Sequence, residues 1–264
     1  MGSRIVFYGN CQMGRLAECL AVTRDYYPDH DDEYAYVDAE ALGARERLAD
    51  ERMDRLVYQV TRKQMEPPVR AETLRLPALY FRPLWPFDGP DERITAAGPV
   101  TRGDKFVNRL RREGFSAAEI FRRYTDADLA RDFDLDRMLE TQLGRFRALD
   151  AMSDVHVADW IAGDFRERQL FNMFWHPSPE SYSRYARPIC DFLGLSEAHA
   201  DIACKVVAAT DTQLPEIPIH PSVAARFGLA WAPAGRTYQG FTDALTFDQW
   251  LWRHLTYEPE VKAA

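Results

Sequence analysis

The run Arg4-Ile5-Val6-Phe7-Tyr8-Gly9-Asn10-Cys11-Gln12-Met13-Gly14-Arg15-Leu16 places a thiol where a buried strand gives way to a helix. Side chains at the carboxyl end of a strand in an open α/β sheet face the ligand crevice. The first N–H groups of the following helix point to the same place. They lower a thiol pKa and hold an anion. Cys11 is therefore a candidate nucleophile, with a plain buried cysteine as the alternative. Its neighbours favour the first. Gly9 permits a tight turn or close ligand approach. The amides of Asn10 and Gln12 are candidate oxyanion donors beside the backbone, or else a turn residue and a helix cap. Arg15, one turn on, is placed for a phosphate or for solvent.

A thiol needs a base, and the best candidate is His176 in Leu170-Phe171-Asn172-Met173-Phe174-Trp175-His176-Pro177. An apolar run precedes it and a proline restricts its backbone. Asn172 is a second polar residue there, suited to orient the histidine or a substrate. Asp154, His156 and Asp159 form another cluster. Asp159 fits a catalytic His–Asp pair and equally the N-cap of a helix at 160–171. His220, between prolines, lines a site or packs locally, while His30, His199 and His254 lie in polar or surface-like contexts. Arg82, Arg102, Lys105, Arg166 and Arg168 are cations for a diphosphate. The stretch Gly98-Pro99-Val100-Thr101-Arg102-Gly103-Asp104-Lys105 adds two glycines for close backbone approach. It lacks the Walker order, and no GxGxxG follows the first strand. The histidines have no metal-ligand spacing, so no metal is expected.

These residues need a sheet to hold them. The chain has 264 residues, 46% of them hydrophobic and 28% charged, which suits one α/β domain with helical additions. A net charge of -8 disfavours a nucleic-acid binder. Cys11, Cys19, Cys190 and Cys204 form no CxxC pair. Free thiols, no charged leader and no run of about 18 apolar residues point to a soluble, cytoplasmic protein without a membrane segment. Strands are expected at 4–9, 34–37, 56–60 and 74–79, with Pro77 demoting the last to an edge or end. Helices at 13–22 and 39–53 complete a β-α-β-α-β rhythm, giving a parallel sheet of four or five strands. The aromatic, proline-rich stretch 80–104 packs over the core or lines a pocket. Helices are expected at 116–124, 134–152, 160–171, 179–193 and 248–255, with another short one starting at Asp126 or Asp128. A looser proline-containing tail precedes the last. Residues 1–264 read as a single domain: 1–80 the sheet core, 81–264 a mainly helical part closing the cleft.

The strand leading into Gly9-Asn10-Cys11-Gln12, the segment Leu79-Tyr80-Phe81 and the block from Asp159 to Ser178 together resemble the WcbI-type polysaccharide-biosynthesis family. Ile219-His220-Pro221-Ser222-Val223 resembles a further family motif. The resemblance implies an SGNH-hydrolase-like three-layer core with a cysteine at the usual serine position. It implies binding of coenzyme A and acetyl-coenzyme A, and O-acetylation of a bacterial capsular sugar or polysaccharide precursor. Cys11 would match the family cysteine and His176 the histidine of its His-Pro motif. Gly9, Arg15, Arg102, Lys105 and Asn172 are the expected cofactor contacts. The chain departs from the family where Asn172 replaces a common histidine, Trp175 a common asparagine, and Thr61-Arg62 a Ser-Asp pair. Acetyl transfer has two routes: through a thioester on Cys11 aided by His176, or by direct attack with His176 as base. The alternatives are an ester or thioester hydrolase and a non-catalytic binder of coenzyme A or a nucleotide-sugar. A homo-oligomer is compatible with all of these.

Overall fold

A computed structural model describes residues 2–27, 31–61, 67, 69–93, 102–210, 215–240 and 242–258. His30, Arg62 and residues 98–101 of the glycine-containing stretch lie outside the described residues, as does the side chain of Arg102. The chain opens with β1 (Arg4–Gly9), α1 (Cys11–Thr23), β2 (Glu33–Asp38), α2 (Ala44–Asp50), β3 (Arg55–Val60) and β4 (Glu72–Pro77). Next come β5 (Asp88–Pro90), β6 (Arg102–Asp104), α3 (Lys105–Arg112), α4 (Ala117–Thr125), α5 (Leu129–Asp132), α6 (Leu135–Asp150) and α7 (Ala158–Asp164). It closes with β7 (Phe171–Met173), β8 (His176–Pro177), α8 (Pro179–Leu193), α9 (Glu197–Thr210), α10 (Pro221–Phe227), β9 (Thr237–Gln239), β10 (Ala244–Thr246) and α11 (Phe247–Thr256).

Two compact units share the chain. The first comprises Met1–Tyr80, Leu143–Asp164 and Trp175–Gln213, the second Phe81–Gln142, Phe165–Phe174 and Leu214–Ala264. The sheet core therefore recruits two later segments as well as residues 1–80.

In the first unit, β2-β1-β3-β4 form a four-stranded sheet, parallel throughout. The central strands β1 and β3 are buried on both faces from their second residue on, which is why they read as continuous apolar runs. The edge strand β2 alternates between half-buried and exposed positions. Pro77, which lacks an amide hydrogen, ends the other edge strand. Helix α1 buries Met13, Leu16, Ala17 and Leu20, one stripe at helical spacing, and packs on β1, β2 and α9. It starts two residues earlier than expected because Asn10 caps it, accepting from the Gln12 amide at 3.0 Å. Helix α2 is shorter than the expected 39–53. Gly43, at its N-terminus, has φ +69°, a left-handed conformation that a helix cannot run through.

In the second unit, Phe81 lies flat on Phe171, centroids 5.2 Å apart, and tilted against Phe165 at 5.5 Å. Leu84 and Trp85 are buried too, so the aromatic stretch after residue 80 builds this unit's core. Val107, Leu110, Ile120, Tyr124, Phe247, Leu251 and Leu255 form a second cluster between α3, α4 and α11. The capping box at Ser116 and Glu119 starts α4 as expected. The expected helix at 160–171 is instead α7, which stops at Asp164 before β7. The supposed loose tail holds α9 and α10. Among the described residues, no helix is long and apolar enough to cross a membrane.

Asp104 caps α3 through the amides of Phe106 and Val107 and accepts from the Tyr124 hydroxyl. Burial pushes its carboxyl up from 3.8 to about 6. Burial, then the charge of Arg111, pushes His254 down from 6.5 to about 4. Between pH 3.8 and 6 the folded chain keeps the Asp104 proton that the unfolded chain has released, so stability falls as pH rises. Between pH 4 and 6.5 the unfolded chain binds a proton that folded His254 refuses, so stability rises with pH. The two slopes oppose one another. Thermal melts from pH 4 to 6 are expected to rise with pH in Asp104→Asn and to fall in His254→Asn, the native protein lying between.

Candidate active site

The turn carrying Cys11 sits at the carboxyl end of the sheet, held by two buried amide side chains. Gln12 and Gln59 are each 1% exposed. Gln59 accepts from the Asn10 amide at 3.1 Å and donates to the Gln12 carbonyl oxygen at 2.6 Å. Gln12 Nε2 donates to the carbonyls of Leu79 at 2.8 Å and Trp175 at 2.9 Å. Its Oε1 also accepts from the Leu79 amide at 3.3 Å. One side chain thus joins the Cys11 turn, β3, the segment after β4 and the residue before His176. Gly9 has to be glycine, because a Cβ there would lie 2.5 Å from Met13 Cγ and 2.8 Å from Gln59 Cβ.

This changes the reading of Gln12, one of the two expected oxyanion donors. Both Nε2 hydrogens of Gln12 are committed to carbonyls, so Gln12 is a bracket and not a donor to substrate. Asn10 Nδ2 donates to the Tyr80 hydroxyl at 2.6 Å, and its Oδ1 is the helix cap. The backbone N–H groups of Cys11 and Gln12 are the donors that reach the thiol.

Cys11 is exposed at its residue surface. Its thiol is nevertheless pushed above its ordinary pKa, first by the protein packed around it, then by the charges of Glu40 and Asp38. The amides of Cys11 and Gln12 pull it down and do not prevail. The expectation of a thiol activated by the helix N-terminus is therefore corrected. The carboxylates come with the fold: Asp38 pairs with Gly9 in the β1–β2 register, and the Ala39 amide donates to the Gly9 carbonyl at 2.8 Å. Neither Asp38 nor Gln59 stands out in the sequence. Their places at the carboxyl ends of parallel strands are the signal that marks them.

His176 opens β8, half-buried, beside Trp175 at 5.7 Å between ring centroids. Asp159 is exposed in the first turn of α7 and does not cap it. Asp150 does, accepting from Val157 and Ala158 at 2.9 and 2.8 Å. Asp154 pairs with Arg75 at 2.7 Å, which holds its carboxyl below the usual range. Asp164 pairs with Arg184 at 2.7 Å. His220 caps α10 and packs locally, its Nδ1 2.8 Å from Ser222 Oγ and its Nε2 2.8 Å from the Tyr124 carbonyl. Of two histidines expected near the surface, His199 is buried and His254 half-buried. His199 stacks on Tyr27 at 4.2 Å and meets Thr23 Oγ1 at 3.1 Å, and His254 stacks on Trp250 at 5.4 Å.

Of the expected cofactor contacts, Gly9 and Arg15 belong to the first unit, and Arg102, Lys105 and Asn172 to the second. Arg15 lies 3.5 Å from Glu18. Lys105 is exposed and its stem covers Gly89. Asn172 is buried, accepting from Gln169 at 3.2 Å through its side chain and from Ile217 at 2.9 Å through its carbonyl. Among the described residues, no group of three or more histidine, cysteine or acidic side chains is placed to hold a metal ion.

Gln12→Leu leaves two buried carbonyls and the Gln59 amide unsatisfied. A loss of about 2–4 kcal/mol is expected in denaturant unfolding. In Asp38→Asn/Glu40→Gln the pH midpoint for alkylation of Cys11 by iodoacetamide is expected to fall, because the two charges that raise it are gone.

The family model described as polysaccharide biosynthesis enzyme WcbI matches residues 4–198. A solved WcbI structure is described as the native protein without a disulfide bond between CoA and one of its cysteines. It superposes with a TM-score of 0.72 over 97% of this chain and 89% of that one, at 14% identity, a likeness of fold. No curated protein matches the chain. The family match extends over well more than half of the sequence, and the chain belongs to the WcbI family of polysaccharide biosynthesis enzymes.

Proposed function

We propose that this protein is a coenzyme A-dependent acyltransferase that moves an acetyl group to a hydroxyl of a sugar or polysaccharide precursor. The carrying observation is Cys11, exposed on the first turn of α1 and tied through Gln12 to the residue before His176. The solved relative, whose description names CoA and a cysteine together, supports the same reading. We read the core as SGNH-like, with Cys11 at the serine position.

The residues around Cys11 fit one end of the donor. Asp38 and Glu40 repel phosphate, whereas a neutral thioester arm meets no such penalty. Arg15, on the second turn of α1, is the proposed phosphate contact of this unit, arginine offering a planar two-donor fork. When bound, acetyl-coenzyme A supplies an acyl group already activated as a thioester. The Cys11 backbone N–H is the donor assigned to the negative charge that develops on the acyl oxygen, a contribution of roughly 3 kcal/mol for a well-placed donor. His176 takes the proton of the acceptor hydroxyl as its oxygen bonds the acyl carbon, and returns it to the coenzyme A sulfur as the carbon–sulfur bond breaks. Burial, then the charges of Glu40 and Asp38, disfavour the Cys11 thiolate, which supports direct attack by the hydroxyl over a thioester on Cys11.

Calorimetry is expected to show binding of coenzyme A and acetyl-coenzyme A, weakened by salt, but not of an adenine nucleotide control. His176→Ala should keep binding and lose transfer by roughly 10²–10⁴-fold. Cys11→Ala should retain transfer. An acetyl group trapped on Cys11 during turnover would exclude the direct route. Absence of coenzyme A binding at millimolar concentration would remove the proposal.

A further inference from the structure

An open pocket of about 540 Å³ lies between the end of β2 and α2, lined by Tyr36, Val37, Asp38, Ala41, Arg47, Asp50 and Glu51. Two of its lining residues meet the strand that leads to Cys11: Asp38 is paired with Gly9, and the Tyr36 hydroxyl donates to the Gly9 carbonyl at 3.3 Å. The Tyr36 ring is 39% exposed, one face packed over Gly14, where an added Cβ would come within 3.0–3.2 Å of ring carbons. Glu51 is held at the back by Arg4. Asp38 accepts from the Glu40 amide at 2.9 Å through one carboxylate oxygen and lines the pocket. Arg47 and Asp50 are exposed on α2.

Charges of both signs and one aromatic ring thus line the pocket. A polyanion would be repelled by the carboxylates and an organic cation by Arg47. A neutral polyhydroxylated ring suits all of them. Its hydroxyls donate to Asp38 and Asp50 and accept from Arg47, while its C–H face packs on the electron-rich ring of Tyr36. The volume admits a six-membered sugar, and the position brings a hydroxyl toward the Cys11 turn.

We infer that this pocket is the acceptor subsite and takes a neutral pyranose. The inference rests on the acyl-transfer reading for its role, but not for its ligand chemistry. Asp38 and Arg47 hold the ring's hydroxyls and Tyr36 its face. The neutral thioester arm and the sugar then approach Cys11 from different sides.

The test is saturation-transfer NMR on the full chain with methyl α-glucopyranoside, methyl α-mannopyranoside and methyl α-galactopyranoside, with coenzyme A titrated into the same samples. At least one pyranoside is expected to bind. Its affinity should fall about tenfold in Tyr36→Ala and in Arg47→Gln, as for loss of one good contact, with coenzyme A affinity unchanged. Arg47 is an exposed helix residue, so its variant keeps the test open should Tyr36→Ala misfold. Failure of all three pyranosides to bind the native chain would overturn the inference, as would binding that both variants leave intact. Coenzyme A binding lost in Arg47→Gln would assign the pocket to the donor and overturn it as well. Pyranoside binding without any coenzyme A binding would sink the acyl-transfer proposal and leave the pocket assignment standing.

Discussion

The site depends on two buried amides. An uncharged glutamine buried without partners loses the free energy of its water contacts at both ends. Gln12 and Gln59 escape that loss by bonding to each other and to three chain segments. The exchange is cooperative. Gln12 is satisfied only when Leu79 and Trp175 are in place, and Gln59 only when the Asn10 turn is formed. Glycine at position 9 is part of the same arrangement, because a side chain would drive into Gln59. Gly9-Asn10-Cys11-Gln12 is therefore a mechanical unit. Gly9 gives clearance, Asn10 caps the helix, Cys11 presents the thiol and Gln12 braces the turn.

Charge sets the character of the thiol. A helix N-terminus contributes partial positive charge over its first turn, and by itself would favour thiolate. Here the surrounding protein, and then the carboxylates of Glu40 and Asp38 at and just beyond the end of β2, oppose it and prevail. A raised thiol pKa means less thiolate at a given pH, and with it a weaker nucleophile.

Much of this architecture is legible in the sequence. The strand positions follow from apolar runs, because central parallel strands such as β1 and β3 are buried on both faces and cannot alternate. Cys11 and the helix after it are legible from glycine followed by polar residues. The Gln12 bracket is not, because glutamine beside a cysteine reads equally as donor or structural amide. Its partners are 47, 67 and 163 residues away. His199 is misplaced by its sequence for a related reason. Polar residues flank His199, and its burial comes from Tyr27, far away in the chain, whereas His254 is covered by Trp250 one turn back on its own helix, a spacing the sequence does show. The start of the helix after Asp154 is hidden because its cap is Asp150, several residues upstream across a turn.

Strand order explains why bracket and pocket occupy different places. The order β2-β1-β3-β4 puts β3 in the interior, where a polar side chain persists only if fully bonded, as Gln59 is. It leaves β2 at the edge, with one side open beyond β1. Side chains at the end of β2 can then keep unused hydrogen-bonding capacity in water without the loss that Gln59 would suffer. Asp38 and Tyr36 do so within one peptide of the Cys11 turn. Rigidity is drawn from the central strand and access from the edge strand. The thiol between them is fixed on one side and open on the other.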